Sequence, residues 1–478
     1  MSMSASLSNA ISGINAVSRA AELVSANVAN AMTEGYGRRD LSLGSATVGG
    51  VQINGVERVV SQAAIADRRL SQAEQGFQDA RASFFTRVEQ AVGTPDSASS
   101  LTAFMDRFDQ SLITASADPS NASRLTAVLD AAVGLAGKIN QISDGLQSDR
   151  ETADRAIGSQ VNQLNSALQD VARLNKEIHQ QVNSGGDPSG LMDQRQVLID
   201  SVSAVVPVQT VTRSYGQVAL VTPNGTTLVD YQAAQFRFSP TGTITPDMSL
   251  ASGALSGLEI DGASSVSGTP FDAIAGGSLA ASFTLRDDDI PQLQANLDAL
   301  SRDLMERSAA ADSSPAPGQV GLFTDRGVSL DPALEAGLAS RLAINDAVRP
   351  SSGGAVWRLR DGINAATPGP ASDGTLLGAY ERAFSDAGLP VSGAFSNGGS
   401  SSALMADFTS QIGQERQLAS QRQSYAAAKV QAFQDVERAG GVNTDQEMQK
   451  LLLIERNFAA NAKVIQAVDE MLQSLLRI

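Results

Sequence analysis

The stretch LLLIERNFAANAKVIQAVDEMLQSL, residues 451–475, decides the fold. Its stripe runs through Leu451, Ile454, Phe458, Asn461, Ile465, Val468, Leu472 and Leu475, in steps of three and four. That rhythm is one face of an amphipathic helix of the coiled-coil kind. The other end of the chain repeats it with smaller side chains: Leu7, Ala10, Ile14, Val17, Ala21, Val24, Val28 and Ala31. A helix from Ser2 to Asn30 would be roughly 40 Å long. The small residues Ala10, Ala21 and Ala31 suit the bulk of Leu451, Phe458 and Leu472, so the two ends are expected to pack together. Chain ends are ordinarily the least ordered part of a protein, which makes two such clean repeats informative. A seam shared by two helices alone is short of area, and copies of the chain or of a relative would complete it. Asn461 reads as a register device, because a buried amide is satisfied in only one alignment.

The chain has 478 residues, a formal charge of −16, no Cys, one His and one Trp. Its length supports two to four domains. The acidic balance speaks against nucleic acid or an anionic membrane as partner, since phosphate must be met by clustered Lys and Arg, and Arg38-Arg39 is only a local basic pair. No apolar run is long enough to span a bilayer. The first residues lack the basic start, apolar core and cleavage site of a secretory signal, with no cationic residue before Arg19. Without Cys there are neither disulfides nor thiolate metal sites.

Between the ends, a Gly-rich extended stretch from Gly35 to Val60 predicts a short hairpin around Asn54-Gly55. From about Ser61 to Val182 the pattern is helical almost throughout, interrupted at Gly93-Thr94-Pro95-Asp96 and Asp118-Pro119-Ser120; Asn183 to Pro188 is a break, and a shorter helix follows across Leu191 to Val202. Val208 to Val229 is rich in Val and Thr, with Pro223-Asn224-Gly225-Thr226 as a turn, and residues 231–285 continue as an exposed β-rich region. A helix is expected from Pro291 to Arg307, another from Pro332 to Leu342, and a long one from Ser401 to Ala439-Gly440-Gly441. Asn443 or Thr444 would cap the last helix, with Glu447 in a capping box. The fold class expected is α+β, multidomain and discontinuous. Residues 1–60 with 441–478 form a terminal coiled-coil domain; 61–204 with 290–310 and 401–440 form a mainly helical domain. Residues 205–289 with 311–400 form a β-rich or mixed outer domain.

The segment Ser25 to Tyr36 resembles the N-terminal signature of bacterial flagellar axial proteins of the rod, hook and hook-associated families. In it Asn27 and Asn30 can satisfy carbonyls where the helix ends, Gly35 turns the chain and Tyr36 packs the following strand back. The segment Gly441 to Glu447, which contains Asn443, and the segment Asn457 to Ile465, which contains Asn461, resemble the closing motif of the same families. The run Gly190 to Asp200, GLMDQRQVLID, and Gly276 to Ala280 with Leu285-Arg286-Asp287 resemble the hook-associated protein 1 branch. The likeness covers both ends and the middle to about residue 310, and weakens across 311–400.

This resemblance implies a structural part at the junction of hook and filament, with a ring of identical subunits lining the axis with their terminal helices. It further implies export through the flagellar type III apparatus without a cleavable signal, to an extracellular place on the flagellum. The implied partners are the chain itself, the hook protein, hook-associated protein 3 and an export chaperone on the C-terminal helix. A hook or distal rod protein is the nearest alternative, and a secreted adhesin or effector binding through its middle is an alternative of another class. No catalytic, cofactor or metal residue is expected. His179 has no second ligand and reads as a surface or capping side chain. Asp287-Asp288-Asp289 reads as a solvated turn and helix start. No phosphate loop or nucleophile elbow is present, so the chain is not expected to be an enzyme.

Overall fold

The computed structural model describes residues 3–47, 49–260, 274–314 and 320–476. The chain runs through α1 (Met3–Ala29), β1 (Arg38–Ser45), β2 (Val51–Val59), α2 (Gln62–Val92), α3 (Leu101–Ala117), α4 (Ala122–Asn183) and α5 (Ser189–Val205). Short strands follow: β3 (Gln209–Thr212), β4 (Val218–Val221), β5 (Thr227–Val229), β6 (Phe236–Arg237) and β7 (Glu259–Ile260). Then come α6 (Gly277–Thr284), α7 (Ile290–Ala311), β8 (Phe323–Asp325), β9 (Leu342–Ile344), α8 (Arg358–Asp361), α9 (Thr375–Ser385), α10 (Ser401–Ala439) and α11 (Thr444–Leu476). The fold is α+β, and among the described residues every strand pairing is antiparallel: β1-β2, β3-β4-β5, β6-β7 and β8-β9.

Helix starts are set by short polar side chains, as the sequence chemistry requires. Ser61 accepts from Ala64 N, Ser100 from Ala103 N, Asn121 from Ser123 N and Ser400 from Ala403 N. α4 has 62 residues, about 90 Å of helix. Its first half, Leu125 to Ala153, packs with α2, α3, α7, α9 and α10 in one hydrophobic core. Its second half, from Ile157 to Val171, packs with α5, α6 and β4 to β6 in another. Residues between 322 and 395 line the first core and residues between 206 and 260 the second. The two stretches grouped as one outer domain thus sit against different cores, and 261–273 and 315–319 lie outside the described residues.

Four local expectations are corrected. Asn54-Gly55 is not the hairpin turn: the chain turns between Ser45 and Val51, where Gly49 and Gly50 take φ of 95° and 91°. Asn54 is instead the extra residue of a bulge, because Ser42 faces Gly55 while Leu43 faces Ile53. No helix spans Pro332 to Leu342: Gly337 adopts φ 76°, and the Asp298 carboxylate accepts from Gly337 N (2.7 Å) and Ala339 N (2.8 Å), holding the segment as two short 3-10 turns. Asp287 to Asp289 are no solvated turn. They belong to a π-helical turn that joins α6 to α7, where Arg286 is fully buried between Asp287 and Asp154, and Asp289 pairs with Arg81. Finally, α1 ends at Ala29, so Ala31 lies beyond the helix.

Candidate functional site

α1 and α11 lie side by side and antiparallel: Gly13 abuts Asn461, and Asn27 Nδ2 donates to Glu447 Oε2 at 2.9 Å. A Cβ on Gly13 would come 2.9 Å from Asn461 Nδ2, so the missing side chain is what lets this amide cross the seam. The hairpin β1-β2 lies along α1, with Ser12 Oγ accepting from Val51 N (3.1 Å) near its tip.

Burial divides the stripes unevenly. On α1 the buried residues are Ala10, Gly13, Ala16, Leu23, Val24 and Asn27, while Leu7, Ile14, Val17 and Val28 are half-buried. On α11 only Glu447 and Val468 are buried among the described residues; Ile454, Asn461 and Ile465 are half-buried. Leu451, Phe458, Leu472 and Leu475 stay 36%, 45%, 40% and 57% exposed. Asn457 is exposed as well. One flank of the pair is an open groove of about 820 Å³ lined by Val17, Ala21, Leu451, Ile454 and Phe458, with Glu22 and Glu455 among its polar residues. A second groove of about 350 Å³, lined by Leu7, Ile465, Val468 and Leu472, lies nearer the chain ends. A fully buried Leu or Phe contributes about 1.5–3 kcal/mol, and these side chains have yet to realise much of it.

The base of the pair is polar. Asn27 is fully buried and uses its whole amide: Nδ2 donates to Arg39 O and to Glu447, and Oδ1 accepts from Arg39 N and Tyr36 Oη, all at 2.9 Å. It therefore bridges α1, β1 and α11 and does not cap the helix. Asn30 donates to Ala26 O (2.9 Å). Gly35 takes φ 75° and packs on Val197 of α5. Asn443 Oδ1 accepts from Asp445 N and Gln446 N, so Asn443 caps α11. Glu447 makes no capping box. Its carboxylate is drawn to Asn27 and Lys450, and Lys450 also reaches Asp40 at 2.9 Å. Burial of the Tyr36 hydroxyl raises its pKa, against the opposing pull of Arg39.

Beneath this knot, Asp193 at the centre of GLMDQRQVLID meets the terminal part. It accepts from Gly37 N (3.0 Å), Arg58 Nε (2.7 Å) and Arg39 Nη2 (2.9 Å). Arg58 continues to Gly35 O and to Gln196 Oε1, Gln196 to Glu437, and Arg68 joins Glu437 to Asp200. The sequence does not mark Asp193, Arg39 or Arg58 as site residues, and it marks Glu447 only as a capping-box residue. The Arg38-Arg39 pair and the motif around Asp193 were visible signals, but nothing local says that they meet.

Elsewhere, the His179 ring lies 5.0 Å from Tyr215. Among the described residues no group of three or more His, Cys, Asp or Glu is placed to hold a metal ion, and no helix is long and apolar enough to cross a membrane.

Residues 438–478 match the family described as flagellar basal body rod FlgEFG protein C-terminal. Residues 67–314, more than half of the chain, match the family described as flagellar hook-associated protein FlgK helical domain. The chain belongs to the FlgK family of flagellar hook-associated proteins. It is similar to flagellar hook-associated protein 1 of Salmonella typhimurium, 27% identical over 314 residues, covering 63% of this chain and 55% of the relative. It is similar to the protein of that name in Escherichia coli, 26% over 310 residues with the same coverage, and in Bacillus subtilis, 30% over 220 residues and 43% of each chain. The chain thus matches about half the length of these curated relatives. A solved structure, the flagellar hook junction protein FlgK from Burkholderia pseudomallei, aligns with TM-score 0.45 and 18% identity over 54% of this chain and 46% of that one.

Proposed function

We propose that the chain is a structural subunit of the flagellum at the junction between hook and filament, and that it assembles with copies of itself through α1 and α11. The observation that carries this reading is the stripe on α11 that the partner helix leaves half open, beside an apolar groove on the same flank. In a ring, neighbours bury that surface, and the free energy of doing so holds the subunits together. The seam residues are Leu7, Ile14, Val17, Val24 and Val28 on α1, with Leu451, Ile454, Phe458, Asn461, Ile465, Val468, Leu472 and Leu475 on α11. Family membership supports the place on the flagellum. It also supports the hook protein, hook-associated protein 3 and an export chaperone as partners, with delivery to the cell exterior through the flagellar export apparatus. The role is structural, without a catalytic step.

Electron microscopy of cells deleted for this gene tests the reading. Bare hooks without filaments are expected. Absent hooks would move the protein into the hook or rod, and normal flagella would overturn the proposal.

A further inference from the structure

We infer that Asp193 is the positioning residue that fixes the tilt of the terminal helix pair on the helical body. This goes beyond the assembly reading and does not rest on it, since it concerns the single chain.

The chain passes between the two parts at two short links, one between Val59 and Gln62 and one between Ala439 and Thr444, the second containing Gly440-Gly441. Neither hydrophobic core includes a residue of α1, the hairpin or α11, so apolar packing does not lock the parts together. What holds them is directional. The Asp193 carboxylate, on α5, takes one donor just ahead of β1, one from β1 and one from β2. Both strands of the hairpin are thereby held to one point of the body. The side chain is 14% exposed, and Arg58 and Arg39 beside it are 10% and 20% exposed, so water screens these pairs only in part. Gly37 brings the backbone so close that a Cβ there would lie 2.4 Å from Arg58 Nε, which fixes the register of the strand against the clamp.

Next to the clamp is a polar cleft of about 530 Å³, lined by Met32, Gly35, Arg68, Gln196, Glu437 and Gly441 among others. It lies between the turn after α1 and the body helices, and gives the terminal part room to rock. Without Asp193, two guanidinium groups face each other with no shared carboxylate, and of the polar contacts described the Arg58–Gln196 bond alone still crosses between the parts, since the Glu437 contacts join body helices to one another. A hinge of two short links then samples several tilts.

The test is a distance distribution in the full chain. The chain has no Cys, so Asn15→Cys on α1 and Gln169→Cys on α4, both exposed, take spin labels at those positions alone. Pulsed dipolar spectroscopy is run on protein diluted with excess unlabelled chain, so that only pairs within one molecule are read. A single narrow distribution is expected with Asp193 intact. Asp193→Ala should broaden it about twofold or more, with the circular dichroism of the body unchanged. Asp193→Asn, which keeps an acceptor for Gly37 and Arg58, should lie between. If Asp193→Ala does not fold, Arg39→Gln removes one arm while leaving α5 intact and should give a smaller broadening. A distribution in the variants as narrow as in the parent, at the same mean, overturns the inference, and so does a parent distribution already as broad as that of Asp193→Ala.

Discussion

Replacing Asn27 by Ala should release the terminal helices while leaving the rest of the molecule folded. The amide makes four hydrogen bonds at 2.9 Å from a site with no exposure. A buried hydrogen bond is worth about 1 kcal/mol net, and water entering the vacated space can satisfy some of the abandoned partners, so the loss is roughly 3 kcal/mol. At 1.4 kcal/mol per tenfold, that raises by about a hundredfold the equilibrium for an opening that parts α1 from both β1 and α11, since one of the four bonds reaches α11 and three reach Tyr36 and Arg39. Native-state hydrogen exchange measures this directly, because amides of α11 report local opening while those of α4 report the body. A separate substitution distinguishes hydrogen bonding from packing. Asn27→Asp keeps the shape but sets a carboxylate oxygen against Glu447 and Arg39 O, where the amide donated. Two carboxylates in contact hold a shared proton, which raises the folded-state pKa above the unfolded value. The damage is therefore full at neutral pH and relieved as pH falls through that raised pKa. Exchange of α11 amides in Asn27→Ala as slow as in the parent protein would refute the reasoning, whatever the variant did to motility.

Phe458→Asp alters a side chain that is 45% exposed, so it should cost the monomer about 1 kcal/mol or less, yet block incorporation into flagella; thermal melts and electron microscopy check the two halves. Gly13→Ala should gain up to about 1 kcal/mol of helix propensity but crowd Asn461, so it should be more stabilising in an Asn461→Ala background than alone, as a double-mutant cycle would reveal. Asp154→Ala removes one of the two carboxylates that hold the fully buried Arg286, leaving the Asp287 pair in place, and should destabilise the body by about 1.5–3 kcal/mol in chemical denaturation. Burial, with Asp106 and Glu381 nearby, pushes the Asp109 carboxyl up to about 6, so the folded state gains stability as pH falls from 7 toward 5. Asp109→Asn should raise the melting temperature at pH 7 and flatten part of that pH dependence.

The long periodic elements were legible because their signals are local. A stripe of apolar residues at helical spacing identifies α4, α10 and α11 wherever they pack, and Ser or Asn at the start sets where they begin. Two of the failures share a cause. Asn54-Gly55 carries the chemistry of a tight turn, but the turn went to Gly49-Gly50 and the pair became a bulge. Pro332 to Leu342 has helix-forming residues, but an acceptor on α7 captured its backbone donors and Gly337 left the right-handed region. Glu447 has the spacing of a capping box, yet its partner is Asn27, 420 residues away. In the last two cases a contact distant in sequence overrode a local preference. The stripes of the candidate surface could be read directly, whereas its polar base could not. Asp193 and Arg58 are 135 residues apart, and no periodicity connects them.

The continuous helix from Ala122 to Asn183 has a consequence for how the molecule comes apart. Its two halves belong to two cores with no loop between them, so melting one core frays the end of a rod on which the other depends. The body should therefore lose its structure in one cooperative transition, although its chain segments are scattered, and a strain applied at one end should arrive at the other little diminished.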